Sequence, residues 1–244
     1  MFDHITIHVS DRAASELFYN TVLRTLGIES PMRHGDYTIW GHEFSLAPAD
    51  GDSPVTRNLH IGFVAPSREH VDAFWRTGTE AGYRDDGAPG PRPQYGSDYY
   101  GGFLRDLDGN SAEAVHHGSM REGGIVDHLW LRVAGVAASR DFYARVGEFG
   151  SFRLRRDLPD RAQFIGSSGS FSVVSGTPLT EHAHLAFETN DNATVDAFHR
   201  ELTAAGFRDN GAPGERPQYH PGYYGAFVLD PDGNNIEVVN HHRQ

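Results

Sequence analysis

The chain is written twice. Shifting the 244-residue sequence by 124 positions lays residues 82–117 on residues 206–241 with 22 identities in 36 positions, far more than chance. The same register holds upstream, where "VDAFWR" meets "VDAFHR" and Phe18-Tyr19 meets Phe142-Tyr143. Two homologous domains follow, 1–120 and 124–244, with "GSMREGG" at 118–124 as the linker. Each is long enough to bury its own core.

Within one copy the hydrophobic pattern changes period several times. "HITIHVS" alternates, with Ile5, Ile7 and Val9 on one face and His4, Thr6 and His8 on the other, the mark of a half-buried strand. Ser10 or Asp11 can cap a following helix on which Phe18, Val22 and Leu26 recur every four residues. "YTIW" and "EFSLA" complete a first unit. "NLHIGFV", a helix from about Ser67 with Val71 and Phe74 inward, and strands at "YYGGFLRD" and "AEAVHH" make a second. The Asp-Gly pair before "AEAVHH" predicts a hairpin. Each copy thus reads as two β-α-β-β-β modules, and the chain as four: an α+β protein.

Composition narrows the function. Asp plus Glu outnumber Lys plus Arg by 33 to 21, which argues against nucleic acid or an anionic membrane as partner. A small-molecule or protein partner is expected instead. With no cysteine, thiolate metal sites and cysteine nucleophiles are excluded. The start carries no signal-peptide pattern and no apolar run reaches spanning length, so a cytoplasmic location is expected. Fifteen histidines become the nitrogen ligands to inspect.

Three polar residues stand on apolar strands at matching places in both copies. The first strand carries His4 or His128, the strand opening the second module His60 or His184, and the last strand Glu113 or Glu237. Successive members are 56 and 53 residues apart in each copy. Two imidazoles and a carboxylate can hold a divalent ion and leave coordination positions open. A glutamate buried alone on such a strand costs several kcal/mol, which a bound metal offsets. One divalent metal per domain is expected, and the donor set suits Fe, Mn, Zn or Ni.

These residues, with the terminal "DLDGNSAE" and "DPDGNNIE", resemble the vicinal oxygen chelate superfamily: glyoxalase I, fosfomycin-resistance enzymes, extradiol dioxygenases and bleomycin-resistance proteins. The resemblance implies paired modules curling into a cup around a metal, and a lyase, isomerase or dioxygenase reaction on an oxygenated substrate that chelates it. Related proteins close the metal site within one domain, grouping His4, His60 and Glu113, or exchange modules, grouping His4 with His184 and Glu237 and His128 with His60 and Glu113. Both remain open. The further ligand of glyoxalase I looks replaced by Ser45 and Ser172, though His42 and Glu43 are near, so a typical glyoxalase I is disfavoured. Extradiol dioxygenases resemble the second copy, with His220 and Pro231, but Phe227 and Phe103 stand where their tyrosine is expected. Bleomycin-binding members lack the ligands that this chain keeps.

The "GAPG-RPQY" segments add Arg92, Tyr95, Arg216 and Tyr219 as candidate substrate-binding residues, with Gln94, Gln218, Tyr99 and Tyr223 beside them. Tyr100, Tyr224 and His220 are the candidate catalytic groups, and His220 corresponds to Gly96 in the other copy. The alternative is a protein that binds or sequesters a small, antibiotic-like molecule without turning it over. Either is expected to be a monomer or homodimer.

Overall fold

The structure is a computed structural model and describes residues 1–119, 123–167 and 169–242. Met120, Arg121 and Glu122, inside the segment read as the linker, lie outside the described residues. Four β-α-β-β-β modules follow one another. The first is β1 (Phe2–Val9), α1 (Arg12–Leu23), β2 (Met32–His34), β3 (Tyr37–Trp40) and β4 (Phe44–Pro48). The second is β5 (His60–Val64), α2 (Arg68–Glu80), β6 (Arg84–Pro91), β7 (Tyr100–Arg105) and β8 (Ser111–His116). The third is β9 (Val126–Val133), α3 (Val136–Gly150), β10 (Arg153–Leu158), β11 (Arg161–Ile165) and β12 (Ser170–Ser175). The fourth is β13 (His184–Glu188), α4 (Asn192–Ala204), β14 (Arg208–Glu215), β15 (Tyr224–Leu229) and β16 (Asn235–Asn240).

Hydrogen-bonded neighbours run β14-β15-β16-β13-β1-β4-β3-β2 in one mixed sheet and β10-β11-β12-β9-β5-β8-β7-β6 in the other. The chain divides into two compact units, a central one of Thr6–Trp130 and a terminal one that joins Met1–Ile5 to Leu131–Gln244. The boundaries fall inside β1 and β9, so the first residues of each of these strands belong with modules of the other sequence copy. Among the described residues no helix is long and apolar enough to cross a membrane.

Local sequence accounts for the elements. Asp11 caps α1 by accepting the Ala14 amide at 3.0 Å, which leaves Ser10 to donate its hydroxyl to Asp108 at 2.6 Å. Phe18 and Val22 are fully buried on α1, and Leu26 follows them inward from a short 3-10 turn after the helix. In the central unit Tyr19, Phe44 and Phe63 pack edge-on or tilted at 4.8–5.2 Å. In the terminal unit Phe164 and Phe171 stack at 4.9 Å beside Tyr143 and Phe152. These buried rings dominate both cores.

The repeated D-x-D-G-N turn is a scaffold. Asp106 accepts the amides of Asp108 at 3.0 Å and Asn110 at 2.8 Å, while its second oxygen accepts the Tyr19 hydroxyl at 2.9 Å. Asn110 accepts the Leu59 amide at 3.0 Å and donates to the Thr56 carbonyl at 3.1 Å. The turn therefore ties the start of β8 to the chain entering β5. Asp230, Tyr143, Asn234 and Ala183 repeat the arrangement in the terminal unit. Gly109 and Gly233, at φ +91° and +92°, supply the left-handed residue that each turn requires. The consequence is a defined register: Gly62 stands opposite Glu113, and Ala186 opposite Glu237.

Replacing Asn110 by alanine strands the buried Leu59 amide and takes a donor from the Thr56 carbonyl and from Asp106 Oδ2. Urea unfolding is expected to show a loss of about 1–3 kcal/mol, and a change below about 0.5 kcal/mol would contradict the role given to this turn.

Candidate metal centre

Each unit brings together two histidines and a glutamate whose ligand atoms all lie within 4.8 Å of one another: His60, Glu113 and His128 in the central unit, and His4, His184 and Glu237 in the terminal one. The first-strand histidines are thus exchanged between sequence copies. β5 lies between β8 and β9, so Gly62 is opposite both Glu113 and His128. A Cβ on Gly62 would come within 2.4 Å of the His128 ring. The missing side chain is what admits the imidazole.

In the central unit His60 Nε2 lies 2.9 Å from Glu113 Oε2 and 3.3 Å from His128 Nε2, and His128 Nε2 lies 3.3 Å from the same oxygen. In the terminal unit His184 Nε2 is 3.1 Å from His4 Nε2 and 3.2 Å from Glu237 Oε2, with His4 Nε2 3.7 Å from that oxygen. Ligand atoms around one ion at about 2.1 Å stand roughly 3.0–3.4 Å apart, close to this spacing. Among the described residues each set holds three ligands. Glu43, near the position of a further ligand, is buried and instead accepts the amides of Ile125 and Val126 at 2.7 and 2.9 Å. His42 is exposed. Ser45 pairs with Thr6 at 2.7 Å, and Ser172 accepts Arg161 Nε at 3.1 Å.

A surrounding layer orients the ligands. Tyr99 donates its hydroxyl to Glu113 Oε1 at 2.7 Å, and Tyr223 donates to Glu237 Oε1 at 2.6 Å, so each carboxylate turns its other oxygen to the imidazoles. A Cβ on Gly101 or Gly225 would come within 2.4 or 2.5 Å of that carboxylate. His128 Nδ1 donates to Asp127 at 2.9 Å and His4 Nδ1 to Asp3 at 2.7 Å, which leaves Nε2 of the neutral rings as a lone pair aimed at the glutamate. The Asp-His pairs at residues 3–4 and 127–128 recur at the repeat offset. That recurrence is the signal from which Asp3 and Asp127 could have been read.

Converging lone pairs need a positive charge among them. Burial alone would raise the Glu113 carboxyl, yet hydrogen bonds from His128 and His60 outweigh it and hold the group down at about 2. Burial likewise opposes charge on His128, but its hydrogen bonds to Asp127 and Glu113 win and push the imidazole up to about 10. His184 differs: burial outweighs the pull of Glu237 and its pKa falls. A donor set this rich in lone pairs takes either a proton or a divalent cation, so the residues fit a metal.

The other sequence candidates lie around these clusters. Tyr95 packs on Trp130 at 5.4 Å, and Trp130 lies 5.9 Å from His60. Tyr219 packs on Tyr223 at 4.8 Å. Arg92 lies over Phe103 at 5.2 Å, and that ring faces His60 at 6.0 Å. Arg216 lies over Phe227, which faces His184. Tyr100 and Tyr224 instead donate to Asp72 and Asp196, both at 2.8 Å, on α2 and α4. His220 joins neither cluster directly; its Nε2 is 2.8 Å from His241 Nδ1.

In chelator-treated protein, an NMR titration is expected to find His128 protonated from pH 6 to 9 and His184 titrating below the ordinary imidazole range. The raised His128 pKa contributes stability that is complete below about 6.5 and is lost as pH climbs through about 10. A His128 resonance titrating near 6.5 would contradict this electrostatic arrangement.

Solved structures with the same fold include glyoxalase I from Zea mays, 18% identical, covering 100% of this chain and 96% of that one at a TM-score of 0.70. A point mutant of the same maize enzyme is 18% identical with a TM-score of 0.71, covering 98% of this chain and 92% of that one. A second point mutant is 17% identical with a TM-score of 0.71, covering 98% and 93%. At these identities the likeness is one of fold. No curated protein matches the chain significantly. The family model of the Glyoxalase/Bleomycin resistance protein/Dioxygenase superfamily matches residues 1–114 and again 125–238, so the chain belongs to that superfamily, with two tandem domains.

Proposed function

We propose that the chain is a metal-dependent enzyme whose small, oxygenated substrate chelates a divalent ion held by His60, Glu113 and His128, or by His4, His184 and Glu237. The observation that carries this reading is the meeting of two imidazoles and one carboxylate in each unit, with nitrogen–oxygen separations of 2.9–3.7 Å. When bound, such an ion acts as a Lewis acid, lowering the pKa of a coordinated oxygen and stabilising an enolate or oxyanion. The chain's own residues do the rest. Asp127 and Asp3 hold His128 and His4 in the tautomer that presents Nε2, and Tyr99 and Tyr223 fix the glutamate oxygens. Trp130, Tyr95 and Phe103 offer the central site a wall for the apolar part of a substrate, with Arg92 behind it. Serines at residues 45 and 172 support a reaction other than that of a typical glyoxalase I. A lyase, isomerase or dioxygenase step fits this set.

The same aromatic wall supports a second reading, a protein that holds a small molecule without turning it over. A ligand-dependent rise in Tm with no product formed, in metal-replete and aerobic protein, would favour it.

Elemental analysis after dialysis against a divalent metal separates the readings at their root. His184→Ala is expected to remove the ion of the terminal unit and Glu113→Ala that of the central unit, one per chain each. Metal content unchanged in both folded variants would overturn the proposal.

A further inference from the structure

A third cluster lies beside the terminal triad and is not part of it. Asp3 is half-buried and His241 buried, and with exposed Glu188 at the end of β13 they bring ligand atoms within 4.8 Å of one another. Hydrogen positions follow from the outside inward. His220 Nδ1 lies 2.9 Å from the Pro221 carbonyl, which can only accept, so this nitrogen carries hydrogen. His220 Nε2 is then a lone pair in the neutral ring, and His241 Nδ1, 2.8 Å away, must donate to it. With its hydrogen on Nδ1, neutral His241 presents a lone pair at Nε2. That lone pair faces Asp3 Oδ1, another acceptor, at 2.9 Å.

Two lone pairs held this close repel unless a cation is shared between them. The third carboxylate, Glu188, and the open approach past it favour a metal ion over a proton. We propose that Asp3, Glu188 and His241 form a separate site for a divalent transition ion such as Zn(II), with one nitrogen and two oxygen ligands. Asp3 links it to the triad, since Oδ2 receives His4 Nδ1 at 2.7 Å while Oδ1 faces the new site. His220 backs His241 as outer partners commonly back a ligating imidazole.

The central unit is the built-in control. Asp127 and His117 repeat Asp3 and His241, but Val64 stands in place of Glu188 and Gly96 in place of His220. His117 Nδ1 pairs there with the Ser119 hydroxyl at 3.0 Å. Among the described residues no third carboxylate joins them, and the third cluster belongs to the terminal unit.

The test counts Zn(II) bound per chain at fixed free Zn(II), by equilibrium dialysis and elemental analysis. Wild type is expected to bind one ion more than Glu188→Gln, whose exposed position leaves folding intact. A Glu113→Ala/Glu237→Ala variant, checked as folded by circular dichroism, should keep one ion that the added Glu188→Gln removes. Equal Zn(II) content in wild type and Glu188→Gln would overturn the site and leave an imidazolium–carboxylate pair only. Failure of the triad reading looks different: the Glu113→Ala/Glu237→Ala variant would then bind as much as wild type, with the Glu188 decrement unchanged.

Discussion

A carboxylate buried to 1% exposure on an interior strand, facing two imidazole nitrogens, is the constraint on which the rest of the structure depends. Glu113 and Glu237 would cost several kcal/mol each if left alone in a low-dielectric interior. Everything within hydrogen-bond reach of them lowers that cost. A tyrosine hydroxyl takes one oxygen, two histidines face the other, and an aspartate fixes one of those histidines in turn. Glycines stand where a side chain would intrude on the carboxylate or the ring. The D-x-D-G-N turn sits a short way upstream because the glutamate tolerates no slip in register: moving by one residue would turn it to the opposite face of the sheet.

The two units have kept this core and changed its margins. In the central unit Gly62 admits His128 close to the glutamate, whereas Ala186 occupies the matching place in the terminal unit, where His4 stands farther off at 3.7 Å. Carboxylate neighbours raise the pKa of His128, while burial lowers that of His184. Trp130 and Tyr95 line the central cluster. The chain His4, Asp3, His241 and His220 flanks the terminal one. The two triads match, and the residues around them differ.

Much of this was legible in the chain itself. The 124-residue repeat and the alternation of "HITIHVS" foretold modules that the structure contains, and the 56- and 53-residue spacings shared by His4, His60, Glu113 and His128, His184, Glu237 picked out the six residues that gather in the two clusters. Pairing between modules was not legible, because strands of both copies carry equivalent patterns and either grouping satisfies the hydrophobic periodicity. Only backbone pairing, with β5 against β9, distinguishes them. The tyrosines show a finer limit. In "YYGGF" and "YYGAF" adjacent tyrosines point to opposite sides, so Tyr99 and Tyr223 reach the glutamates while Tyr100 and Tyr224 reach helix aspartates. Choosing between neighbours requires knowing which face of the strand is inward. Asp3 and Asp127 were hidden for another reason: an aspartate beside a histidine is unremarkable until the ring nitrogen is seen to need a fixed tautomer.

X-ray absorption spectroscopy on protein loaded with one divalent metal tests the central claim most directly, because imidazole rings scatter characteristically beyond the first coordination sphere. The account predicts about two imidazoles per triad-bound ion at nitrogen distances near 2.0–2.1 Å with oxygen completing the sphere, and loss of half the imidazole signal at the affected site in His60→Ala. A sphere of oxygen alone, unaltered by that substitution, would contradict it.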